Sequence, residues 1–255
     1  MKVAVYTCVT GGYDTVKPPR HVDPRLDYLC FTDRPDAVPS PWQPCAAALL
    51  HLDAKDSNRF FKMHPHLVPQ LSVYDATVYV DGSIALIGDV HEFVEACMAS
   101  PAEIFLYDHP FRDCAYDEAW ACAQFGHDDV LTIANQMRRY RRAGFPAHAG
   151  LCECCVIVRR RSDAVARMME HWWIEYRRGA KRDQLALSYV AWHNGIRLQS
   201  LGTSDPRYGH RYFELFPHRT TTAPLRVKLR TLFNRCLMKL LPHRVLFGHE
   251  ANTTR

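Results

Sequence analysis

A carboxylate interrupts an apolar run in the first third of the chain. Residues 77–86 read TVYVDGSIAL, so that apolar and β-branched residues stop at Asp81 and resume after Ser83. Asp-Gly between apolar runs is typical of a hairpin turn. The alternative is a ligand site, because in open α/β sheets ligands bind outside the carboxyl ends of strands. In that case Asp81 is an oxygen ligand for a divalent cation, and Ser83 contributes a hydroxyl or holds a metal-bound water.

Arg59 and Lys62 are candidates for binding an anionic ligand. They are three residues apart in the stretch SNRFFKM, which predicts a helix, so that both lie on one helix face. Guanidinium and ammonium groups suit phosphate oxygens. A solvated helix face is the alternative interpretation. The intervening Phe60-Phe61 pair indicates that this helix packs close to the core.

The elements that position these residues alternate between strands and helices. Apolar runs predict strands at residues 2–8, 26–31, 76–80, 103–107, 151–158 and 196–201, and helical patterns lie between most of them. This order indicates an α/β fold with a mostly parallel sheet. Asp33, Asp81 and Asp108 follow three of the strands, which predicts one shared sheet edge lined with carboxylates. The repetition favours the ligand-site interpretation of Asp81.

Length and composition fit one large globular domain with an appendage. The 255 residues are 47% hydrophobic and 23% charged, which supplies enough apolar material for a core. The net charge of +5 suits anionic ligands or acidic membrane surfaces, but it is too weak to indicate nucleic-acid binding, for which no motif is found. We divide the chain into a domain at residues 1–221 and a basic segment at residues 222–255.

The sequence shows no pattern typical of export. The stretch MKVAVYTCVTGG lacks the features of a signal peptide, and no apolar run approaches the roughly 20 residues that span a bilayer. We expect a cytoplasmic protein with ten reduced thiols. The C-x-x-C of Cys152 and Cys155 has no second pair at zinc-site spacing, so that alternate thiols on a strand are the preferred interpretation.

The C-terminal segment contains a basic amphipathic pattern at residues 224–244, PLRVKLRTLFNRCLMKLLPHR. In a helix, arginine and lysine populate most faces, and one apolar stripe carries Leu225, Leu229, Leu232, Cys236 and Leu240. The helix either packs on the domain or attaches to an anionic membrane surface. In the second case the protein is peripheral on the inner face of the cell membrane.

Several blocks of the sequence together resemble one known family. In chain order, over about residues 1–205, these blocks are VAVYTCVTGGYD, DYLCFTD, SNRFFKMHPHL, YVDGSI, YDHPFRDCAYDEA, GLCECCVIVRR, WW and KRDQLALSY. They look like the TOD/MUCI glycosyltransferase-like family, found in plants and bacteria. The resemblance implies a GT-A fold, in which a Rossmann-like nucleotide-binding half merges with an acceptor-binding half. It also implies a retaining transferase that uses nucleotide-diphosphate sugars.

The resemblance further implies a metal site. Such enzymes usually carry an Asp-x-Asp motif at the end of a central strand, and the corresponding residues here are Asp81-Gly82-Ser83, without the second carboxylate. We expect Mn²⁺ or Mg²⁺ at Asp81, with a further ligand from a late histidine. His210 and His218 are candidates, of which His218 is preferred, and the alternative for either is a surface or core histidine.

A nucleotide donor would dock after the first strands. Thr7, Thr10 and Gly11 lie in TCVTGG, whose Gly-Gly pair permits close approach to the backbone, although the stretch is not G-x-G-x-x-G. Asp33 either contacts the base or ribose or caps a turn in TDRPD. Asp108 with His109 either contacts sugar hydroxyls or forms a strand-end turn set by the next proline.

Three further residues are candidates for catalysis. Glu153, the lone acid in LCECCVIV, either points into the site or pairs with an arginine, since an unpaired buried carboxylate is costly. Asp183 and Gln184 open a predicted helix, where a carboxylate also suits the helix dipole. The resemblance implies that one of them lies near the anomeric carbon and stabilises positive charge in a front-side retaining displacement. Arg182 would contact phosphate.

Together these features predict a glycosyltransferase that moves a sugar from a nucleotide-diphosphate donor, UDP-linked by preference, to a glycan or lipid-linked acceptor in polysaccharide assembly. The alternative is a non-catalytic nucleotide- or glycan-binding protein of the same fold, which lost the second carboxylate of the metal motif. A metal-dependent phosphohydrolase would also use strand-end carboxylates, but the chain lacks the density of histidine and aspartate expected for two metals.

Overall fold

The structure is a computed structural model that describes residues 1–47, 51–217, 225–241 and 243–247. In chain order the strands are β1 Val3–Val9, β2 Leu26–Thr32, β3 Gln43–Ala46, β4 Ala76–Val80, β5 Ile84–Leu86, β6 Ile104–Asp108, β7 Cys152–Arg160, β8 Leu198–Ser200 and β9 Phe213–Leu215. The helices are α1 Ala54–Met63, α2 Val90–Met98, α3 Ala115–Gln124, α4 Val130–Arg142, α5 Asp163–Arg178, α6 Asp183–His193, α7 Leu225–Leu240 and α8 His243–Phe247.

The central sheet has seven strands in the order β3-β2-β1-β4-β7-β6-β8. The first four of these pair in parallel, whereas β7 runs antiparallel to β4. Backbone hydrogen bonds at both ends of β6 place it antiparallel to β7, and β6 pairs in parallel with β8. Strands β1 and β4 are buried along their whole length, as expected for a sheet covered on both faces. The predicted α/β class, a mixed and mostly parallel Rossmann-like sheet flanked by helices, is therefore confirmed.

The hairpin interpretation of Asp81-Gly82 is wrong. The chain does turn there, because Ile84 N donates to Asp81 O at 2.9 Å. However, β4 and β5 do not pair with each other. Strand β5 joins β9 in a separate antiparallel pair, and β4 stays in the central sheet between β1 and β7. Asp81 thus stands at the carboxyl end of a central strand, as the ligand-site interpretation expected.

Two compact units make up the chain. The first comprises Met1–Asp108, Glu153–Glu170 and Ile196–Thr221 and holds both sheets, and the second comprises His109–Cys152, His171–Gly195 and Thr222–Arg255. The core of the first unit is formed by apolar residues of β1, β2, β4 and β7 with α2. The predicted division at residue 221 stays a prediction.

The second unit is helical, and aromatic and polar contacts hold its helices together. Tyr140 of α4 stacks on Tyr189 of α6 with ring centroids 3.7 Å apart. Trp172 is fully buried, and its indole Nε1 donates to Asp183 O at 2.9 Å, which fixes the start of α6. Arg139 Nη1 contacts both carboxylate oxygens of Glu175 at 2.9 and 2.8 Å.

Helix α7 packs on the second unit through a polar anchor and not through the predicted apolar stripe. Asn234 is fully buried, accepts from Val130 N at 3.0 Å, and donates to two backbone carbonyls at 2.9 and 2.8 Å. Leu225, Leu229 and Leu232 of the predicted stripe remain more than half exposed. The basic amphipathic helix is therefore present, with most of its apolar stripe facing solvent.

Within the described residues, no helix combines the length and the apolar character that crossing a membrane requires.

Candidate functional site

Asp81 lies at the centre of a small polar network at the end of β4. Tyr79 Oη donates to Asp81 Oδ1 at 2.8 Å, and Lys62 Nζ lies 3.3 Å from the same oxygen. Burial and the neighbouring Asp81 charge raise the pKa of Tyr79 well above its usual value, so that the phenol stays a proton donor. Both contacts use Oδ1, and Oδ2 receives no hydrogen bond from any residue that the structure describes.

The Lys62 side chain is only 1% exposed, whereas that of Asp81 is 29% exposed. An ammonium group buried in this way needs a partner, because leaving it uncompensated costs about 3–5 kcal/mol. Asp81 supplies that partner, and the Tyr79 ring lies 5.0 Å from Nζ. The interpretation of Lys62 as part of a solvated helix face is wrong. The Lys62 side chain is covered, and its ammonium group contacts Asp81.

Helix α1 is fixed so that Lys62 reaches this place. At its C-terminal end, the buried Arg159 donates to Lys62 O at 2.6 Å and also to the Tyr6 hydroxyl. The Tyr6 hydroxyl in turn donates to Phe61 O at 3.1 Å. Carbonyls of the last helical turn lack partners within the helix, so that these bonds cap it. A cation from β7 thereby sets the position of Lys62.

The other end of α1 is joined to the loop after β1. Thr10 Oγ1 donates to Ala54 O at 2.7 Å, and Asn58 Nδ2 donates to Cys8 O. Arg59, which is half-buried, donates to the Asn58 side chain. The two predicted cations thus differ in burial: Arg59 as a whole is half-buried, with its Nε atom covered, while Lys62 is almost completely buried.

Gly11, in the loop after β1, and Asp33, after β2, were both predicted to bind a nucleotide, and in the structure they contact each other. Gly11 N donates to Asp33 Oδ2 at 2.9 Å. Gly11 and Gly12 have φ values of 66° and 64°, which favour glycine. A pocket of about 110 Å³ opens beside them and is lined by Val9, Gly12, Asp14, Asp33, Arg34 and Val38, among others. A ligand pocket usually measures about 300–1,000 Å³, so this one is smaller than a typical ligand pocket.

Thr7 differs from the other predicted donor-binding residues of this loop. It is 1% exposed, and its hydroxyl is buried without a hydrogen-bond partner among the described residues. Thr7 lies within β1, before the loop, and is not on the surface.

Gly82 allows the end of β4 to lie against the loop after β1. A Cβ atom at Gly82 would stand 2.5 Å from Val9 Cγ2 and 3.2 Å from Asp14 Cβ. No ordinary side chain fits that space without a shift of the neighbours. Ser83, the other predicted residue of this turn, is buried, and its carbonyl accepts from Phe216 N at 2.8 Å. The turn thus places Asp81 beside the Gly-Gly loop.

Glu153 reaches the same edge from β7. Asp81 N donates to Cys155 O at 2.8 Å, which joins the two strands there. Glu153 is buried and forms an ion pair with Arg207 Nε, the second of the two alternatives that the sequence left open. Burial, with the charges of Glu153 and Asp81, raises the pKa of the Cys155 thiol. That thiol therefore stays protonated at neutral pH.

Asp33, Asp81 and Asp108 lie at one edge of the sheet, because β2, β4 and β6 run in the same direction. Asp108 is exposed and accepts from Ser200 Oγ at 2.7 Å. The expectation of carboxylates along a shared edge holds for these three residues.

His109 and Arg182 meet at a carboxylate in the second unit that sequence reasoning missed, Glu118. Glu118 is 3% exposed. His109 Nε2 lies 3.6 Å from it, Arg112 Nε 2.7 Å and Arg182 Nη2 3.7 Å. His109 Nδ1 accepts two backbone N–H groups, so that Nε2 carries the proton and faces Glu118. The signal that the sequence offered for Glu118 was its position among apolar residues in the predicted helix AYDEAWACA.

Asp183 and Gln184 are buried at the first turn of α6. Gln184 Nε2 donates to Cys152 O at 3.0 Å, and Arg182 Nη2 donates to Gln184 Oε1 at 3.1 Å. Asp183 Oδ1 accepts from Gln184 N at 3.1 Å. The carboxylate thus also serves the helix N-terminus. The roles of Asp183, Gln184 and Arg182 toward a donor stay predictions.

The residues around Asp81 suit a divalent cation that takes most of its oxygen ligands from the phosphates of a bound substrate. Mg²⁺ usually binds through one or two carboxylates plus substrate phosphates, and Asp81 Oδ2 offers one such oxygen. The groups of three or more potential ligands found among the described residues do not include Asp81. The predicted second ligand, His218, lies outside the described residues. His210 is exposed and has φ 49°.

Comparisons with known proteins agree with the resemblance seen in the sequence. No curated protein matches the chain. A crystal structure of mouse Xyloside xylosyltransferase 1 in its apo form is similar with 8% identity and a TM-score of 0.49, over 79% of this chain and 85% of that one. That level of similarity assigns no activity. The model of the family described as TOD1/MUCI70, glycosyltransferase-like domain, matches residues 47–201, more than half of the chain. The chain belongs to this family.

Proposed function

We propose that the protein is a glycosyltransferase of the GT-A class that takes a sugar from a nucleotide-diphosphate donor, with UDP as the nucleotide, and transfers it with retention of configuration. A glycan or a lipid-linked glycan is the acceptor. Family membership supports the reaction class. The observation that carries the donor assignment is the network of Asp81, Lys62 and Tyr79 beside the loop that Asp33 and Gly11 hold together.

The charge at this edge suits a leaving diphosphate. The partly exposed Arg59 is the cation that can contact phosphate oxygens. Lys62 offsets the charge of Asp81, so that a second anion can approach the carboxylate at lower electrostatic cost. The Gly11 and Gly12 backbone and Asp33 bind the nucleoside in this proposal, with Thr10 holding the loop on α1.

A divalent cation, Mn²⁺ or Mg²⁺, would supply further positive charge to the diphosphate as the bond to the sugar breaks. In this proposal Asp81 holds it through the oxygen that Lys62 and Tyr79 leave available, and Ser83 supports the turn that carries Asp81. His218 is the proposed second ligand. Tyr79 stays protonated because of its raised pKa, so that it continues to orient Asp81.

The catalytic step needs stabilisation of positive charge on the sugar. We assign this role to Asp183 or Gln184, and the binding of acceptor hydroxyls to Glu153, Asp108 and His109. Electrostatic stabilisation of developing charge is often the largest catalytic contribution. Glu153 can serve only together with Arg207, its ion-pair partner, and Arg182 contributes to phosphate binding in this proposal.

Thermal shift and calorimetric titration with UDP, with and without Mn²⁺, test the donor assignment. Wild type should bind UDP, and Arg59→Gln should bind it about 10- to 100-fold more weakly, since a hydrogen bond to a charged group contributes about 1.5–3 kcal/mol. Arg138→Gln is a matched control, because Arg138, on α4, is not among the proposed donor-binding residues. No shift with any nucleotide would refute the donor assignment.

A non-catalytic binding protein of the same fold is the second candidate. Its supporting observation is that Asp81 and Glu153 are both engaged by cations within the protein. Slow hydrolysis of UDP-sugars separates the two candidates. Nucleotide binding without any release of UDP from a donor panel would favour the binding protein.

We also propose that α7 attaches the protein to an anionic membrane surface, which would place it at the cytoplasmic face of the cell membrane. The exposed leucines of α7 and its arginine and lysine residues support this proposal, since such helices bind through apolar burial and charge attraction. Replacing Leu225, Leu229 and Leu232 together by serine should reduce sedimentation with phosphatidylserine vesicles. Equal sedimentation of this variant and wild type would remove the membrane assignment.

A further inference from the structure

A second group of potential metal ligands lies in the helical unit, separate from Asp81. Cys114 precedes α3, Asp117 lies in its first turn, and His148 comes from the segment before β7. One ligand atom from each of these three residues lies within 4.8 Å of the other two. Sequence analysis did not single out any of them, because His148 is distant from the other two in the chain.

The chemical types of these ligands favour a borderline transition metal. A thiol, an imidazole and a carboxylate together are typical of zinc, whereas Mg²⁺ and Mn²⁺ prefer oxygen ligands. Zinc binds sulfur at about 2.3 Å and nitrogen or oxygen at about 2.0–2.2 Å, so that ligand atoms around one tetrahedral ion stand about 3.3–3.6 Å apart. Since the three ligand atoms lie within 4.8 Å of one another, they need to approach each other by no more than about 1.5 Å to hold such an ion.

Asp117 provides an independent observation. Its Oδ1 atom is buried and has no hydrogen-bond partner among the described residues. A buried polar atom without a partner is costly, and an ion or a water is a common explanation for one. An ion between Asp117, Cys114 and His148 would satisfy this oxygen.

His148 is held as a metal-binding histidine usually is. Its Nδ1 lies 2.8 Å from Asp113 Oδ1. In metal sites, the ring nitrogen that does not bind the ion commonly bonds to a carboxylate, which fixes the tautomer and the ring orientation. In the proposed site, His148 binds the ion through Nε2, and Asp113 contacts Nδ1.

The other ligand group among the described residues lacks these features. It consists of His21, Asp23 and Asp89. Asp23 is engaged by Arg25, whose guanidinium contacts both carboxylate oxygens at 2.6–3.2 Å. This group has no thiol, and its central carboxylate already has a cationic partner. It serves as an internal comparison.

We propose that Cys114, Asp117 and His148 form a zinc site, with Asp113 as the positioning residue of His148 and water as the fourth ligand. Such a site would join the start of α3 to the segment before β7. The proposal does not depend on the glycosyltransferase assignment, because none of these residues is among the proposed donor-binding or catalytic residues.

The test uses the full chain, freed of metal with a chelator and dialysed, and Zn²⁺ and Co²⁺ as probes. We expect one Zn²⁺ per chain by elemental analysis, and a cysteinate-to-cobalt charge-transfer band with Co²⁺. Asp117→Asn and His148→Gln should each weaken Zn²⁺ binding at least about 100-fold. Asp113→Asn should weaken it about 10- to 100-fold, as is typical of such positioning residues.

The control variants are Cys236→Ser, which removes an exposed thiol, and His21→Gln from the comparison group. Both should bind Zn²⁺ as wild type does. Cys114→Ser should abolish the cobalt band, and Asp117→Asn keeps the test decisive if burial of Cys114 prevents that variant from folding. Absence of stoichiometric Zn²⁺ in wild type would overturn the proposal. A cobalt band that survives Asp117→Asn and His148→Gln but is lost in Cys152→Ser would do the same.

Discussion

Lys62 Nζ lies 3.3 Å from Asp81 Oδ1, and the lysine side chain is almost completely covered while the carboxylate is partly open to solvent. A buried cation behind a strand-end carboxylate reduces the net negative charge where a ligand would bind. The Asp-x-Asp motif that the sequence resemblance implied has its second carboxylate two residues after the first, where this chain has Ser83. The pair offers a physical reason why one carboxylate can suffice for an anionic donor.

Lys62→Met should weaken UDP binding with little loss of stability. Removing one charge about 7 Å from a phosphate changes the binding free energy by about 2 kcal/mol at an effective dielectric constant near 20. The loss of UDP affinity should be larger without Mn²⁺ than with it, because bound Mn²⁺ offsets the charge of Asp81. Calorimetric titration of UDP measures both values.

Lys55→Met is the control for that experiment, since Lys55 is an exposed lysine on the same helix. The charge account would be contradicted by equal UDP affinities of Lys62→Met and Lys55→Met. Urea unfolding should show that Lys62→Met stays folded, because Asp81, the partner left behind, is partly exposed and can be solvated.

Gly82→Ala should destabilise the protein by about 1–3 kcal/mol, the usual cost of overpacking. The added Cβ would stand 2.5 Å from Val9 Cγ2. Combining it with Val9→Ala should recover part of the lost stability, because the second change removes the atom that collides. Denaturant unfolding of the two single variants and the double variant measures this coupling. If the changes in stability of the two single variants simply add in the double variant, the close approach of residue 82 to Val9 is not the cause of the destabilisation.

His64 should make the protein less stable as the pH falls. Burial, the largest cause, lowers the pKa of His64 from 6.5 to about 4, although its Nδ1 contacts Phe60 O at 3.2 Å. Between about pH 4 and pH 6.5, His64 binds a proton in the unfolded chain but not in the folded chain. Stability is therefore constant above about pH 6.5 and decreases toward pH 4, by at most about 3 kcal/mol.

His64→Gln should flatten this part of the stability curve, measured by urea unfolding from pH 4 to 7.5. His21→Gln, which changes an exposed histidine, should leave the curve as in wild type. An unchanged slope in His64→Gln would show that other groups cause the acid sensitivity.

Asn234→Ala should loosen α7 from the helical unit. It removes the acceptor of Val130 N and the donor to Ala123 O and Asp128 O, all of them buried or partly buried. Each unsatisfied buried group costs about 1–3 kcal/mol. We expect faster hydrogen exchange in α7 and a total loss of roughly 2–4 kcal/mol. The exposed Asn135→Ala is the control, and equal exchange in both variants would contradict the anchoring role.

The residues at the sheet edge could be predicted from the sequence because their positions depend on local patterns. Helical spacing brought Arg59 and Lys62 to one face, and the end of a buried strand placed Asp81 in their neighbourhood. The contact of Gly11 with Asp33 follows from two adjacent parallel strands. These relationships depend on periodicity and strand direction, which a single sequence carries.

Relationships between distant segments could not be predicted in the same way. The burial of Arg159 and its bond to Lys62 O have no local signal, since paired arginines at a strand end suggest solvent exposure. Glu118 and Arg207 find their partners through tertiary packing. Strand β3 was missed because Pro44 lies within it, and proline is accepted there only because β3 is an edge strand.

The release of UDP from a panel of UDP-sugars, by wild type and by Asp81→Asn, tests the central claim most directly. Asp81→Asn keeps the size of the side chain and removes the charge that pairs with Lys62 and holds the proposed cation. We predict slow UDP release by wild type from at least one donor, stimulated by Mn²⁺ and reduced at least about 100-fold in Asp81→Asn, as when a group that stabilises transition-state charge is lost. Equal release by the two proteins, or release from no donor, would contradict the account.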